Sequence, residues 1–186
     1  LESNGWFTAS GIATIFQTNG LTLIWAHGNS IKTIGILSIS TAILNGALVG
    51  ANSIAYGRYW MRRSLDLFYV LRILVLMCFF ILFMNAATLL LLNEEFRRAT
   101  QYIFILFPFY ISCFLLEVFL IKSISNSFFR EAIALKCSLI FVISILYCIF
   151  DIFKMEFHEA LIICSCVHLF FSLSFFSLIK GFKANY

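Results

Sequence analysis

The chain has 186 residues, of which 62% are hydrophobic and 12% charged, and its mean hydropathy is +0.98. Soluble domains carry about 25% charged residues, so this composition excludes an ordinary soluble domain and predicts an integral membrane protein. The formal net charge of +4 is small and falls mostly in predicted loops. We therefore expect a lipid bilayer around the chain and no nucleic-acid partner.

Six apolar runs are long enough to cross a membrane. A spanning helix needs roughly 20 mostly apolar residues, because about 30 Å of hydrocarbon is crossed at about 1.5 Å per residue. The runs are continuously apolar rather than alternating, which favours helices over barrel strands. Residues 1–186 are thus predicted to form a single all-α bundle. Its predicted spans are residues 6–26, 31–56, 66–92, 99–121, 133–153 and 159–179.

The basic residues predict the orientation of the bundle. Eight of them are assigned to one face, in the loop after span two, the loop after span four and the tail. Four are assigned to the other face, where glutamates dilute them. By the positive-inside rule, the richer face and both ends of the chain are cytoplasmic. The first set is Arg58, Arg62, Arg63, Lys122, Arg130, Lys136, Lys180 and Lys183, and the second is Lys32, Arg97, Arg98 and Lys154. Among these, Arg58, Arg62 and Arg63 are the main topology anchors.

Polar residues form a stripe on each of the first two spans. Span one has Ser10, Thr14, Thr18 and Thr22 at four-residue spacing, with Gln17 and Asn19 nearby, and span two has Ser38, Thr41, Asn45 and Asn52. Each residue alone is explained by packing between helices, whereas the two stripes together favour a water-accessible cavity. Span two also has a run of small residues at Ala42, Gly46 and Gly50, which predicts close approach of another backbone.

Two charged residues fall inside spans. Arg72 lies in span three and Glu117 in span four, each at a similar depth from the cytoplasmic face. Unpaired charges in hydrocarbon are costly, so we expect Arg72 and Glu117 to form a pair or share a polar pocket. The alternative is that Arg72 extends alone to the interface. His168, near the middle of span six, is predicted to be a buried hydrogen-bonding residue, with a proton-relay role as the alternative.

The sequence contains no catalytic constellation, neither a Ser/His/Asp grouping nor a glycine-rich phosphate loop. All six cysteines fall in apolar runs, and Cys164 with His168 on one helical face does not make a metal site. We therefore expect a protein that is not an enzyme and that has no metal and no cofactor.

The order of these features resembles one six-helix lobe of the multidrug/oligosaccharidyl-lipid/polysaccharide flippase superfamily. The segments that carry the resemblance include a short turn with glycine before helix two, "GNSIKTIGILSIS", and a small-residue run into a basic loop, "GALVGANSIAYGRYWMRRSLDLFYVLRIL". Others are the acidic turn of "NEEFRRATQYIFILFPFYI", the basic loop "LIKSISNSFFREAIALK", the turn in "DIFKMEFHEALII" and the basic tail "SLIKGFK". The chain departs from the family where helix six begins, since "KMEFHEALIICS" replaces the family's Gly-x-x-Gly-Ala-Ala.

The resemblance implies half of a two-lobe transporter. Because the chain begins at Leu1 and not at a methionine, we expect the C-terminal lobe, with a preceding six-helix lobe as its partner. The family's polysaccharide (O-antigen type) flippases move undecaprenyl-pyrophosphate-linked oligosaccharides across the bacterial cytoplasmic membrane by alternating access. Such a substrate implies a cavity that binds sugar and pyrophosphate, and the candidate residues here are Thr14, Gln17, Thr18, Asn45 and Arg72.

Two other functions remain open. In a multidrug or cation antiporter lobe, Glu117 would be the coupling carboxylate, with Arg72 as its ion-pair candidate. A non-transporting assembly subunit of a larger membrane complex would require only packing. A polymerase-type subunit is disfavoured, because no predicted loop exceeds about fifteen residues, whereas a large external loop is expected of that class.

Overall fold

The protein folds as an all-α membrane bundle. The computed structural model describes residues 8, 11–20, 24, 30–61, 65–91, 94–124 and 129–179, with the backbone alone at 95, 96 and 175–179. Every regular element in these ranges is a helix. They are α1 over residues 11–20, α2 Ile31–Trp60, α3 Leu67–Leu91, α4 Glu94–Arg97, α5 Ala99–Ile124, α6 Phe129–Ile152 and α7 Phe157–Ile179.

Five of the described helices are long and apolar enough to cross a membrane, namely α2, α3, α5, α6 and α7. They coincide with predicted spans two to six, which makes this a multi-pass membrane protein. Of residues 6–26, the predicted first span, the structure describes 8, 11–20 and 24. Within them, α1 is α-helical over residues 11–15 and π-helical over Phe16–Gly20.

Helix α5 is the centre of the bundle. Its most extensive contacts are with α2 and α7, and it also packs on α3, α4 and α6. Within the most apolar stretch of α5, 67% of the residues are buried, against 22% for the peripheral helix α3. The aromatic rings of Phe109, Tyr110 and Phe114 fill the space around α5 and are almost fully buried. A side chain that points inward from α5 therefore meets several helices at once.

The outer surface of the bundle consists of large apolar side chains, which is the composition expected of a surface that contacts lipid. On α3, successive turns present phenylalanine and leucine outward. Exposed examples across the bundle are Phe68, Phe79, Phe83, Leu90, Phe141, Phe153 and Phe170.

Polar side chains cap the starts of two helices, and one hydrogen bond joins α2 to α5. Ser30 precedes α2 and its Oγ accepts a hydrogen bond from the backbone N–H of Thr33 at 3.2 Å. Asp66 precedes α3, and its carboxylate accepts from the N–H of Tyr69 at 2.8 Å. These bonds satisfy backbone donors that have no partner within a helix. Between helices, the Ser40 hydroxyl donates to the carbonyl of Ala99 at 2.8 Å and joins α2 to the start of α5.

The small-residue run of α2 does not hold another backbone close in the described structure. Ala42, Gly46 and Gly50 are exposed, and Gly46 and Gly50 line an apolar groove of about 270 Å³ between α2 and α3. A Cβ added at Gly46 would lie 3.9 Å from Phe80, an ordinary contact, and one added at Gly50 would meet nothing within 4 Å. The expectation of close backbone approach at these residues is therefore wrong within the described chain.

Candidate functional site

The centre of the bundle contains a buried ion pair. Glu117 projects from α5 and Lys136 from α6, and the Lys136 ammonium donates to the Glu117 carboxylate. The residues are 4% and 0% exposed. Two charges removed from water keep their ionised forms only when each is compensated by the other and by further hydrogen bonds. The side chains around the pair must therefore supply polar partners.

Two hydroxyl groups from other helices supply them. Thr14 of α1 donates to one carboxylate oxygen of Glu117 at 2.9 Å, and its oxygen accepts from the Lys136 ammonium at 2.7 Å. Tyr56 of α2 donates to the other carboxylate oxygen at 3.2 Å. We call Glu117, Lys136, Thr14 and Tyr56 the charged cluster. Because its four members come from four helices, any rearrangement of these helices changes the environment of both charges.

A second, uncharged network surrounds His168 of α7, which is fully buried. The Gln17 amide nitrogen lies 3.0 Å from His168 Nε2, and Ser112 Oγ contacts Nδ1. Ser112 also contacts the Ser172 hydroxyl, which donates to the His168 carbonyl at 2.9 Å. With the amide donating to Nε2, the ring proton resides on Nδ1 and is donated to Ser112. The prediction of a buried, hydrogen-bonding His168 is confirmed.

The two networks are neighbours. Thr14 and Gln17 are three residues apart on α1, and this spacing puts both on one side of the helix. Ser112 and Glu117 are five residues apart on α5, about 7.5 Å along its axis. The two polar networks therefore lie next to each other in the interior of an otherwise apolar bundle.

The cavity candidates separate into two groups. Thr14 and Gln17 belong to the networks, and Thr18 is buried beside them with its hydroxyl donating to the Thr14 carbonyl at 3.0 Å. Asn45 is half-buried on α2, and Arg72 is exposed on α3. The polar stripes of α1 and α2 are thus not equivalent, because α1 contributes to the interior networks.

Other stripe residues have local roles or lie elsewhere. On α2, the hydroxyls of Ser38 and Thr41 donate to carbonyls of their own helix, at 2.8 and 3.1 Å. On α1, Asn19 is exposed, while Ser10 and Thr22 lie outside the described residues.

The proposed pairing of Arg72 with Glu117 is wrong. Glu117 has its ion pair with Lys136, and the side chain of Arg72 is exposed on the outer face of α3. The prediction that Lys136 lies in a cytoplasmic loop is also wrong, because the residue is buried within α6. The sequence signal was present, since Lys136 falls inside the predicted span 133–153.

The basic anchors at the end of α2 are only partly described. The Arg58 guanidinium lies over the Tyr69 ring, 3.8 Å from its centroid, in a cation–π contact between α2 and α3. Arg62 and Arg63 lie outside the described residues.

Comparisons of the chain with protein-family models, with curated proteins and with solved structures gave no match. The fold and the two buried networks therefore define the class only as a multi-pass helical membrane protein with ionised groups in its interior.

Proposed function

We propose that this chain is a transporter lobe of the polysaccharide flippase type, which moves a lipid-linked, pyrophosphate-bearing oligosaccharide across the cytoplasmic membrane by alternating access. The observation that supports the proposal is the charged cluster. Ionised residues inside transmembrane bundles are costly, and they usually mark the pathway of a substrate or ion. The resemblance to flippase lobes in the order of loops and spans supports the choice of substrate class.

The cluster supports a specific role for Lys136. A pyrophosphate group needs a cation in the interior, and the exposed Arg72 is not suited to supply it. Lys136 is buried beside the hydroxyl of Thr14, and its present counter-ion is Glu117. A substrate phosphate would compete with the Glu117 carboxylate for the Lys136 ammonium. Release of Lys136 from Glu117 would leave the ammonium available to the phosphate.

A multidrug or cation antiporter lobe is the second candidate. It is favoured by the position of Glu117, a buried carboxylate that accepts hydrogen bonds from Thr14 and Tyr56. In this function a cationic substrate and a proton would exchange at Glu117. The two candidates differ in which charge of the pair binds the substrate, Lys136 in the flippase and Glu117 in the antiporter.

The experiment is a deletion and complementation series in the source cell, with surface polysaccharide and drug susceptibility measured in parallel. A flippase predicts loss of surface polysaccharide on deletion, rescue by the wild-type gene, and no rescue by Lys136→Met. The matched control is Arg72→Gln, which we expect to rescue fully because Arg72 lies outside both networks. Membrane abundance of each variant is measured by immunoblot, so that loss of protein is not mistaken for loss of transport.

Other outcomes select another function. Hypersensitivity to cationic drugs with normal polysaccharide would select the antiporter. Full rescue of either phenotype by Lys136→Met and by Glu117→Gln, at normal abundance, would show that the cluster has no role in transport and would support an assembly subunit.

A further inference from the structure

Three long helices begin around one cavity at the end of the bundle away from Tyr56 and Lys122. Ser30 precedes α2, Arg98 precedes α5, and His158 is the second residue of α7. The cavity has a volume of about 460 Å³ and is lined by Ser30, Lys32, Thr33, Ile36, Arg98, Gln101, Tyr102 and His158. This is within the range of about 300–1,000 Å³ for sites that bind small molecules. We call it the N-terminal cavity, after the helix ends that form it.

The electrostatics of this cavity favour an anion. Each helix carries about half a positive charge at its N-terminus, and here three such ends meet. Two permanent cations line the same space, Lys32 and Arg98, and His158 adds a ring N–H donor. Helix ends and basic side chains are independent sources of positive potential that act on the same volume. The described acidic residues nearest in sequence, Glu94, Glu156 and Glu159, are exposed and do not line it.

The walls of the cavity are held in place by packing. The Tyr102 and His158 rings are stacked, with centroids 5.1 Å apart and planes inclined by 22°, which links α5 to α7. Tyr102 is buried, and Ile36 of α2 is buried on the same lining. The Ser40–Ala99 hydrogen bond ties α2 to α5 one turn deeper. These contacts fix the relative positions of the three helix ends before any ligand binds.

We propose that the N-terminal cavity binds a phosphate group, carried by a lipid headgroup or by a soluble phosphate ester. Arg98 supplies a planar, bidentate donor for phosphate oxygens, and Lys32 supplies a compact charge. The cavity lies at the ends of membrane-spanning helices, at the level where lipid phosphates are found. The site does not use Glu117 or Lys136 and is separate from the transport proposal, so each proposal can fail without the other.

The experiment uses the purified full chain in a neutral detergent. Native mass spectrometry measures bound phosphatidylglycerol against phosphatidylcholine, and thermal unfolding measures stabilisation by glucose 1-phosphate. We expect Lys32→Gln/Arg98→Gln to lower phosphate binding by about tenfold or more, since charge-assisted hydrogen bonds are lost. Arg130→Gln removes an exposed cation at the opposite end of the bundle and is the matched control, expected to bind as the wild type does.

The outcomes distinguish the two sources of phosphate from the absence of a site. Retention of phosphatidylglycerol alone, lost in the double variant, assigns the site to a lipid headgroup. Stabilisation by glucose 1-phosphate, lost in the same variant, assigns it to a soluble phosphate ester. Equal binding of both probes to the wild type and the double variant overturns the proposal. The single variant Arg98→Lys, which keeps the charge and loses the bidentate geometry, is expected to bind at an intermediate level. The unfolding temperature without ligand checks that every variant is folded.

Discussion

The ammonium of Lys136 and the carboxylate of Glu117 meet between α6 and α5, where both side chains are buried. Both charges are also hydrogen-bonded to the single hydroxyl of Thr14, which donates to one and accepts from the other. The pair therefore requires α1, α5 and α6 to keep their relative positions. The ion pair thus links three helices through two charges and one hydroxyl.

Removal of either charge alone should destabilise the protein. Glu117→Gln or Lys136→Met leaves an uncompensated charge in the bundle, at a cost of about 3–5 kcal/mol. The double variant Glu117→Gln/Lys136→Met removes both charges and should recover most of this loss. Thermal and denaturant unfolding in detergent measure the effect, with Glu131→Gln, an exposed carboxylate on α6, as the control. If the loss of stability in the double variant equalled the sum of the two single losses, the two residues would not interact.

Arg72→Leu should change stability by no more than about 0.5 kcal/mol, or raise it. The side chain is exposed on the outer face of α3, and a leucine there suits contact with lipid. The unfolding temperature in lipid nanodiscs provides the measurement. A loss as large as that of Lys136→Met would instead mean that Arg72 has a buried partner.

His168→Ala should lower stability by about 1–3 kcal/mol, because Gln17 and Ser112 would lose a buried hydrogen-bond partner. The ring also packs on Phe109 with centroids 4.6 Å apart, and this contact would be lost too. Ser138→Ala is the control, since the Ser138 hydroxyl is exposed and donates only to its own helix at Ala134. An unfolding temperature of His168→Ala equal to that of the control would contradict the network.

Gly50→Ala should stabilise the chain by about 0.5–1 kcal/mol. Glycine weakens a helix interior, and a Cβ at this position meets nothing within 4 Å. Gly35→Ala, at another open position on α2, should give a similar gain and serves as the comparison. If Gly50→Ala lowered stability while Gly35→Ala raised it, another helix would be packing closely against the α2–α3 groove in the membrane.

The orientation can be tested by cysteine labelling. Glu156→Cys lies between α6 and α7 and is predicted to be outside, whereas Arg130→Cys near the start of α6 is predicted to be cytoplasmic. An impermeant maleimide should label the first in intact cells and the second only after permeabilisation. The unsubstituted chain gives the background from native cysteines. The reversed labelling pattern would show that the chain has the opposite orientation in the membrane.

The helices themselves were largely predictable, because hydropathy identifies the apolar centre of each span. The ends of the helices were less predictable. Helix α6 begins at Phe129 rather than at 133, and α5 continues to Ile124 rather than ending at 121. Hydrogen bonding along the backbone carries each helix past its apolar part into residues such as Lys122 and Arg130. Hydropathy does not record this extension.

The polar members of the site were predictable as residues, but their partners were not. Thr14, Gln17 and Glu117 stand out against apolar neighbours, so the sequence singles them out. Which of them meet depends on how each helix is rotated about its axis. A helix that is apolar on all sides gives no pattern from which to infer that rotation. For this reason depth in the membrane alone pairs Glu117 with Arg72, although its partner in the structure is Lys136.

The ion pair also constrains how the chain enters the membrane during synthesis. Residues 125–128 alone separate α5 from α6, so the two helices form a hairpin whose facing sides carry opposite charges. Either helix inserted singly would bring an uncompensated charge into lipid, whereas the hairpin is nearly neutral. We therefore expect α5 and α6 to leave the translocation channel together, as one unit of biogenesis.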